Sequence, residues 1–449
     1  MFDALVPAAL ASAAQAQLRQ EGVQRGDIVA WLGHNSWDML ATLVACERLG
    51  AVLMPLNWRL ALPELAHQLV HSGASRLMGT PELQPLTLEL LQRVSLAPGP
   101  AADVLAGDLL LVYTSGTTGA PKAAMHTRQG LQANALAAVA AQGLNAQSQV
   151  LCVLPMFHVG GLCIQTLPAL AVGAKVSIHA RFDAAAWFDA VAQWRPTTTL
   201  LVPAVMRALI EHPRWDHANL SSLQFVNSGS QIVPLALIQA FHDRGIPVAQ
   251  VYGATETGPV SIVLKPGEAM AHPGMAGRAA LGVQLRLLAD GEICLKAPQL
   301  MRGYHRSAEP AFDNEGWFHT GDLARLHDNG LVEVVGRSKE LIISGGENIH
   351  PAEIEQWAAA MPGVAQCAVV GVPDARWGEV PVLVVVREAN ARGAALTEQG
   401  LLEALSPHLA RFKRPSKVVF TEALPTTALG KVARAALRAT LAGSKRALE

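Results

Sequence analysis

The chain has 449 residues, 51% of them apolar and 16% charged, with 35 Lys and Arg set against 36 Asp and Glu. That length exceeds one ordinary core and implies two or three domains, and the composition excludes a disordered chain. A formal net charge of −1 without any basic run gives nucleic acid nothing to be drawn to.

The Ala-rich opening carries Asp3 where a secretion signal needs positive charge, and the polar run Gln15-Ala-Gln-Leu-Arg-Gln20 follows at once. Residues 5–20 therefore read as an amphipathic helix. Strand patterns at 27–32 and 51–54 enclose a helix at 37–49, an alternation that argues for α/β layers with a largely parallel sheet. It resumes with strands at 150–154, 175–178, 198–202, 223–226 and 248–251. The longest apolar stretch, 159–176, is broken by Gly160, Gly161, Gln165, Pro168 and Gly173, and reads as a buried helix and turn, not a membrane span. Short alternating strands between 282 and 295 point to a smaller β-rich lobe. Beyond 339 come a helix at 351–361, strands around 367–370 and 382–386, a helix at 399–409 and a basic end. The fold class expected is α/β: a large N-terminal domain, 1–337, of layered sheets plus the β-rich lobe, then a small α+β domain, 338–449. Five scattered cysteines (Cys46, Cys152, Cys163, Cys294 and Cys367) never form a C-x-x-C pair. Their spacing argues against a zinc site or a disulfide framework and for a reducing, cytoplasmic setting.

The densest chemical signal is Tyr113-Thr-Ser-Gly-Thr-Thr-Gly-Ala-Pro-Lys122, directly after the apolar Leu109-Leu-Leu-Val112. Glycine lets backbone N–H groups turn toward an anion, hydroxyls add donors and Lys adds a point charge, so the run has the composition of a polyphosphate cradle. It is not a Walker A loop, because Ala123 follows Lys122 where that motif needs Ser or Thr. A Gly/Thr-rich surface turn is the plain alternative if no other segment agrees.

Others do agree, in order: Leu154-Pro-Met-Phe-His-Val-Gly-Gly161, Tyr252-Gly-Ala-Thr-Glu-Thr-Gly258, Gly316-Trp-Phe-His-Thr-Gly-Asp322, Gly336-Arg-Ser-Lys-Glu340, Ile343-Ser-Gly-Gly-Glu-Asn-Ile-His-Pro-Ala-Glu353 and Leu424-Pro-Thr-Thr-Ala-Leu-Gly-Lys431. With these the chain resembles, over essentially its whole length, the adenylate-forming (AMP-binding) superfamily in its acyl- and aryl-CoA synthetase branch. The resemblance implies an ATP-dependent acid–CoA ligase using Mg²⁺ and coenzyme A. A carboxylic acid first gives acyl-AMP and pyrophosphate, and the CoA thiol then displaces AMP.

The same likeness implies the residue roles. Thr114, Ser115, Gly116, Thr117, Thr118 and Lys122 would hold the β- and γ-phosphates. The family usually continues this loop with Gly-Val, whereas Ala123-Ala124 stand here. Glu256 would be the Mg²⁺ ligand, Thr255 an α-phosphate contact, and Tyr252, next to Gly253, the surface on which adenine stacks. A glutamate after the strand at 248–251 lies where open α/β sheets take ligands. Gly229 marks the adenine-side turn, although Ser228, Ser230 and Gln231 depart from the family's pattern. Asp322 would accept both ribose hydroxyls, with two oxygens for two donors; Arg337 would reinforce ribose or phosphate. Lys431 would reach the reacting carboxylate and α-phosphate from the small, mobile domain, and Lys339 would be its hinge. Gly345 and Gly346 would line the passage for the CoA arm.

For the acid, the likeness makes His158 a gate, with Gly160 and Gly161 leaving room for substrate. Val202, Met206, Val226, Ala254 and Val260 are the apolar lining expected, with no cation to meet a second carboxylate. These features favour a monoacid, with fatty acids preferred over benzoate- or cinnamate-type acids. Amino-acid-activating relatives usually place an aspartate opposite Phe157-His158; its absence counts against a carrier-loading adenylation module. The intact Glu256, Asp322, Arg337 and Lys431 count against a catalytically dead nucleotide binder. Family members usually carry some tens of residues before the opening helix, so the likeness leaves two readings, a misplaced start or an N-terminal lobe short of one edge. No transmembrane segment and no nucleic-acid partner are expected, and a homodimer is compatible with the reading.

Overall fold

The computed structural model describes residues 5–97, 99–114, 121–344, 347–374, 376–427 and 431–446, with side chains as far as 441. The chain divides into two compact units. The first comprises Met1–Ser230, Phe241–Leu285 and Leu295–Phe318; the second comprises Gln231–Ala240, Arg286–Cys294 and His319–Glu449.

The first unit is built on two sheets. One runs, strand by strand across the sheet, Gly303–Tyr304, Lys122–Thr127, Asp108–Thr114, Val52–Leu56, Ile28–Leu32 and Arg76–Gly79. Its inner pairs are parallel, and the pairs made by Lys122–Thr127 on either side are antiparallel. Ile28–Leu32 and Val52–Leu56 are buried along their whole lengths, as parallel strands covered on both faces must be. The second sheet runs Arg278–Ala279, Ile262–Leu264, Val248–Tyr252, Phe225–Gly229, Thr198–Leu201, Gln149–Cys152 and Lys175–Ile178, parallel from Val248–Tyr252 onward.

Helix Trp37–Leu49 shows how local sequence serves this core. The Ser36 hydroxyl accepts from the Met39 N–H, Gly50 ends the helix at φ 70°, and Leu40, Leu43 and Val44 pack with Leu109, Val112, Met156 and Leu162. The opening helix, expected over 5–20, is Ala8–Gln20. Pro7 takes the cap position with ψ 134°, while Leu5 and Val6 are buried without being helical.

The expected helix and turn over 159–176 takes a less regular form. Gly160–Thr166 winds as a π-helix, and Leu167–Ala171 continues as α-helix. Neighbouring amides satisfy the widened turn: Asn134 Nδ2 donates to the Cys163 carbonyl (2.7 Å) and Gln142 Nε2 to the Ile164 carbonyl (2.8 Å). A Cβ at Gly161 would come within 2.3 Å of the Pro155 carbonyl oxygen, so glycine is a packing requirement there.

In the second unit, Glu292–Lys296, Phe318–Leu326 and Val332–Arg337 lie side by side in a four-stranded sheet, as the alternating pattern near 282–295 suggested. A further sheet pairs the long antiparallel strands Val364–Asp374 and Gly378–Arg387, longer than their apolar centres indicated. Lys417–Thr421 joins this sheet in parallel, and helices Pro351–Ala359 and Glu398–Leu405 help cover its core. Among the described residues no helix is long and apolar enough to cross a membrane.

Candidate active site

Three of the proposed ATP contacts (Ser115, Thr117 and Thr118), with Gly116, lie outside the described residues, as do Gly345 and Gly346. The ends of the loop are described. Thr114 and Lys122 face each other at the mouth of an antiparallel pair, and Thr114 Oγ1 donates to the Lys122 carbonyl at 3.3 Å. The two strands that flank residues 115–120 thus form one antiparallel pair, largely buried. Ala123 and Ala124, which replace the usual Gly-Val, are wholly buried within the second stem. Gly303–Tyr304 pairs with that stem, setting Tyr304 opposite Ala124.

Tyr304 is the residue that sequence reading missed. Its hydroxyl donates to Glu256 Oε1 at 3.0 Å, and the Lys122 ammonium sits 5.0 Å from its ring centroid. Burial and the neighbouring Glu256 carboxylate push the phenol above its ordinary range, so it stays protonated as a donor. One signal was available: the chain has only three tyrosines, Tyr113, Tyr252 and Tyr304, and the other two were already in site motifs. Lys122 also pairs with Glu309 at 3.2 Å, with both side chains well exposed, so the ion pair contributes little and leaves the ammonium available to an anion.

Glu256 is held by its backbone as well. It lies in the single 3-10 turn Thr255–Thr257, after the strand end at Tyr252. The Ala254 N–H donates to Thr257 Oγ1 (2.8 Å), and the Met301 N–H donates to the Glu256 carbonyl (2.8 Å). Gly258 closes the turn at φ 71°, where a Cβ would stand 2.3 Å from the Gln299 carbonyl oxygen. Beneath it, His126 is wholly buried, and burial lowers its pKa to about 4, with the Thr255 backbone opposing part of that shift. Thr255 is buried; Tyr252, Gly253 and Ala254 are half-buried.

The turn expected on the adenine side follows Phe225–Gly229. Asn227 Nδ2 donates to Gln142 Oε1 (2.8 Å), Ser228 is buried against the Met206 sulfur (3.4 Å), and Ser230 adopts φ 70°. A non-glycine residue in the left-handed region is a strained link that the surrounding packing must hold. Of the expected acid-pocket residues, Val226, Met206 and Val260 are wholly buried, whereas Val202, Ala254 and His158 keep part of their surface exposed. His158 lies two residues before the π-helix, and Gly160 has nothing nearer its missing side chain than the Ser230 hydroxyl at 3.9 Å.

In the second unit, Asp322 and Arg337 are cross-strand partners. Arg337 Nε donates to Asp322 Oδ1 at 2.6 Å, a charge-assisted bond to a carboxylate only 11% exposed. The turn before Asp322 is pinned from both sides: the Gly321 N–H donates to Glu292 Oε1 (2.8 Å), and the Ser338 hydroxyl donates to the Gly321 carbonyl (3.1 Å). Lys339 lies in the short turn Ser338–Glu340, whose Glu340 pairs with Arg434 at 3.0 Å. Lys431 is exposed; the Thr427 N–H donates to its carbonyl (2.7 Å), and Thr426 pairs with Val432.

Residues 8–305 match the family model described as AMP-binding enzyme, and residues 353–431 match that of the AMP-binding enzyme C-terminal domain. The chain belongs to the AMP-binding enzyme family. It is 43% identical to an indoleacetate–CoA ligase of Aromatoleum aromaticum, over 95% of this chain and 90% of that protein. It is 41% identical to a feruloyl-CoA synthase of an Amycolatopsis species, over 94% of this chain and 90% of that protein. Among solved structures, ATP-bound MatB from Rhodopseudomonas palustris superposes with a TM-score of 0.86 at 30% identity, over 96% of this chain and 92% of that one. This AMP-binding enzyme is an AMP-forming acid–CoA ligase, working through an acyl-adenylate with ATP and coenzyme A as substrates. The expected division into a large layered α/β domain and a small C-terminal domain holds at the level of the fold.

Proposed function

We propose that the acid is an aromatic monocarboxylate, activated by ATP and transferred to coenzyme A in the cytoplasm. The observation that carries this reading is the 41–43% identity, across nearly the full length, to ligases named for indoleacetate and ferulate. It displaces the preference for fatty acids, because buried Val226 and Val260 suit a flat ring and an alkyl chain equally well. A pyrophosphate-release screen with indoleacetate, ferulate, substituted benzoates and saturated fatty acids tests the choice. Aromatic acids are expected to give the highest kcat/KM; a medium- or long-chain fatty acid ahead of all of them would refute the assignment.

In the mechanism we propose, the chain supplies position and charge and no nucleophile. The Thr114–Lys122 loop, through its hydroxyls, N–H groups and ammonium, would grip the β- and γ-phosphates. Tyr252 and the Gly229 turn would take adenine, and Asp322, oriented by Arg337, the ribose. Glu256 suits Mg²⁺: it is a hard oxygen donor whose Oε1 is oriented by Tyr304, in the manner of an outer-shell partner. The ion would neutralise triphosphate charge. Lys431 would lie between the two anions that must meet, substrate carboxylate and α-phosphate, and lower the barrier to pyrophosphate departure. Lys339 is proposed as the hinge separating this half-reaction from thiol attack, with 338–449 moving as the small domain.

A further inference from the structure

We propose that Glu292, Cys294 and His319 form a binding site for one zinc-class divalent cation, a role separate from the ligase reaction. Glu292 and Cys294 are two residues apart on the strand Glu292–Lys296, hence on one face; His319 is on the adjacent strand Phe318–Leu326. Their ligand atoms lie within 4.8 Å of one another. His319 Nδ1 is 3.3 Å from Glu292 Oε2 and 3.5 Å from Cys294 Sγ. A tetrahedron with zinc–nitrogen and zinc–oxygen bonds near 2.0–2.2 Å and a zinc–sulfur bond near 2.3 Å has edges of about 3.4 and about 3.6 Å. Two of the three edges, those that meet at His319, therefore already have the spacing of such a site, and the third lies within 4.8 Å, so a small approach of Cys294 Sγ and Glu292 Oε2 completes three corners.

The support is also of the right kind. Glu292 Oε1 accepts from the Gly321 N–H at 2.8 Å, so the carboxylate is oriented by one oxygen and presents the other. Access comes from the His319 side, 42% exposed, whereas the cysteine is buried. Thiolate, imidazole and carboxylate together select a borderline cation over Mg²⁺ or Ca²⁺, and three protein ligands leave a fourth position for water. On binding, a Zn–S bond replaces the Cys294 S–H bond and its proton goes to solvent, while His319 coordinates through unprotonated Nδ1. Linear spacing gave no hint of this, since the third ligand follows the second by 25 residues and only strand pairing makes them neighbours. A cation here would tie Glu292 to the turn that carries Asp322, so its occupancy would be felt at that turn.

Zn²⁺ titration calorimetry and Co²⁺ absorption on the tag-free full chain test the site. Wild type is expected to take up one Zn²⁺ and, with Co²⁺, to show a thiolate-to-cobalt charge-transfer band with tetrahedral visible bands. His319→Gln, at an exposed position outside the core, should weaken Zn²⁺ binding by at least the roughly tenfold that even an outer-shell partner supplies. Cys294→Ser should abolish the charge-transfer band. A wild-type spectrum without that band, its survival in Cys294→Ser, or equal Zn²⁺ affinity in wild type and His319→Gln would each overturn the proposal and leave a hydrogen-bonded trio. If the buried serine variant does not fold, the His319→Gln comparison decides the question.

Discussion

Glu256 and Lys431 are held in different ways. Glu256 sits over a buried histidine, in a turn closed by a left-handed glycine, with its carbonyl and its carboxylate both taken by Met301 and Tyr304. Lys431 is exposed, supported by backbone pairing between 425 and 433. With the roles proposed above, the contrast divides the labour: the residues proposed to bind nucleotide are fixed by a core, and the residue proposed to promote the chemical step lies on a separate element. On that proposal, binding is expected to survive loss of the second and not of the first.

The sharpest test of that contrast is Lys431→Ala. Removing a charge aimed at a developing anion typically costs about 10²–10³ in rate, so acid-dependent pyrophosphate release should fall by that order. Thioester formation from pre-made acyl-adenylate should be largely spared. Near-normal pyrophosphate release would dissolve the contrast. Next in size is Lys339→Pro, which restricts backbone rotation at the proposed hinge. It should leave adenylation within about twofold and slow thioester formation by roughly tenfold or more; equal losses in both half-reactions would place the hinge elsewhere.

Tyr304→Phe tests the fixed side. A hydrogen bond to a charged group contributes about 1.5–3 kcal/mol, or roughly ten- to a hundredfold. Adenylation should drop within that range, with thermal stability little changed, and raised Mg²⁺ should recover part of the loss. Full activity in the variant would show that Glu256 is oriented by its backbone alone.

What could be read in advance follows the range of the interactions. The parallel layers, the strand expected at 248–251 and the helix at 37–49 rest on local periodicity, which a single sequence displays; the strand expected at 223–226 is Phe225–Gly229, displaced toward the turn. Tyr304 could not be reached in that way, because its partner Glu256 is 48 residues away and a two-residue edge strand brings them together. The π-turn after Val159 was equally opaque, since its register depends on amides of Asn134 and Gln142 from another helix. The helix start at 8 instead of 5 was a misjudged local signal: Pro7 was visible and is better suited to the boundary than to the interior.

His126→Leu is predicted to have the smallest effect on activity and the most specific effect on stability. Neither ring nitrogen has a hydrogen-bond partner of good geometry, and the one polar interaction lost is the loose contact with the Thr255 backbone, so an apolar residue of similar size should be nearly neutral at pH 7. The difference emerges in acid. With a folded pKa near 4 against 6.5 unfolded, the unfolded chain binds a proton between those values that the folded chain refuses. Stability must therefore fall as pH falls through that window, by about 3 kcal/mol from this group at the acid end. His34, His71, His179, His242, His305 and His350 are also lowered by burial and add to the loss with the same sign. Denaturant unfolding at pH 7, 5.5 and 4 should thus show a shallower, not flat, decline for His126→Leu than for wild type. Parallel declines would mean that the floor beneath Glu256 is not where acid enters, and that the fixed half of the site is less sealed than its packing indicates.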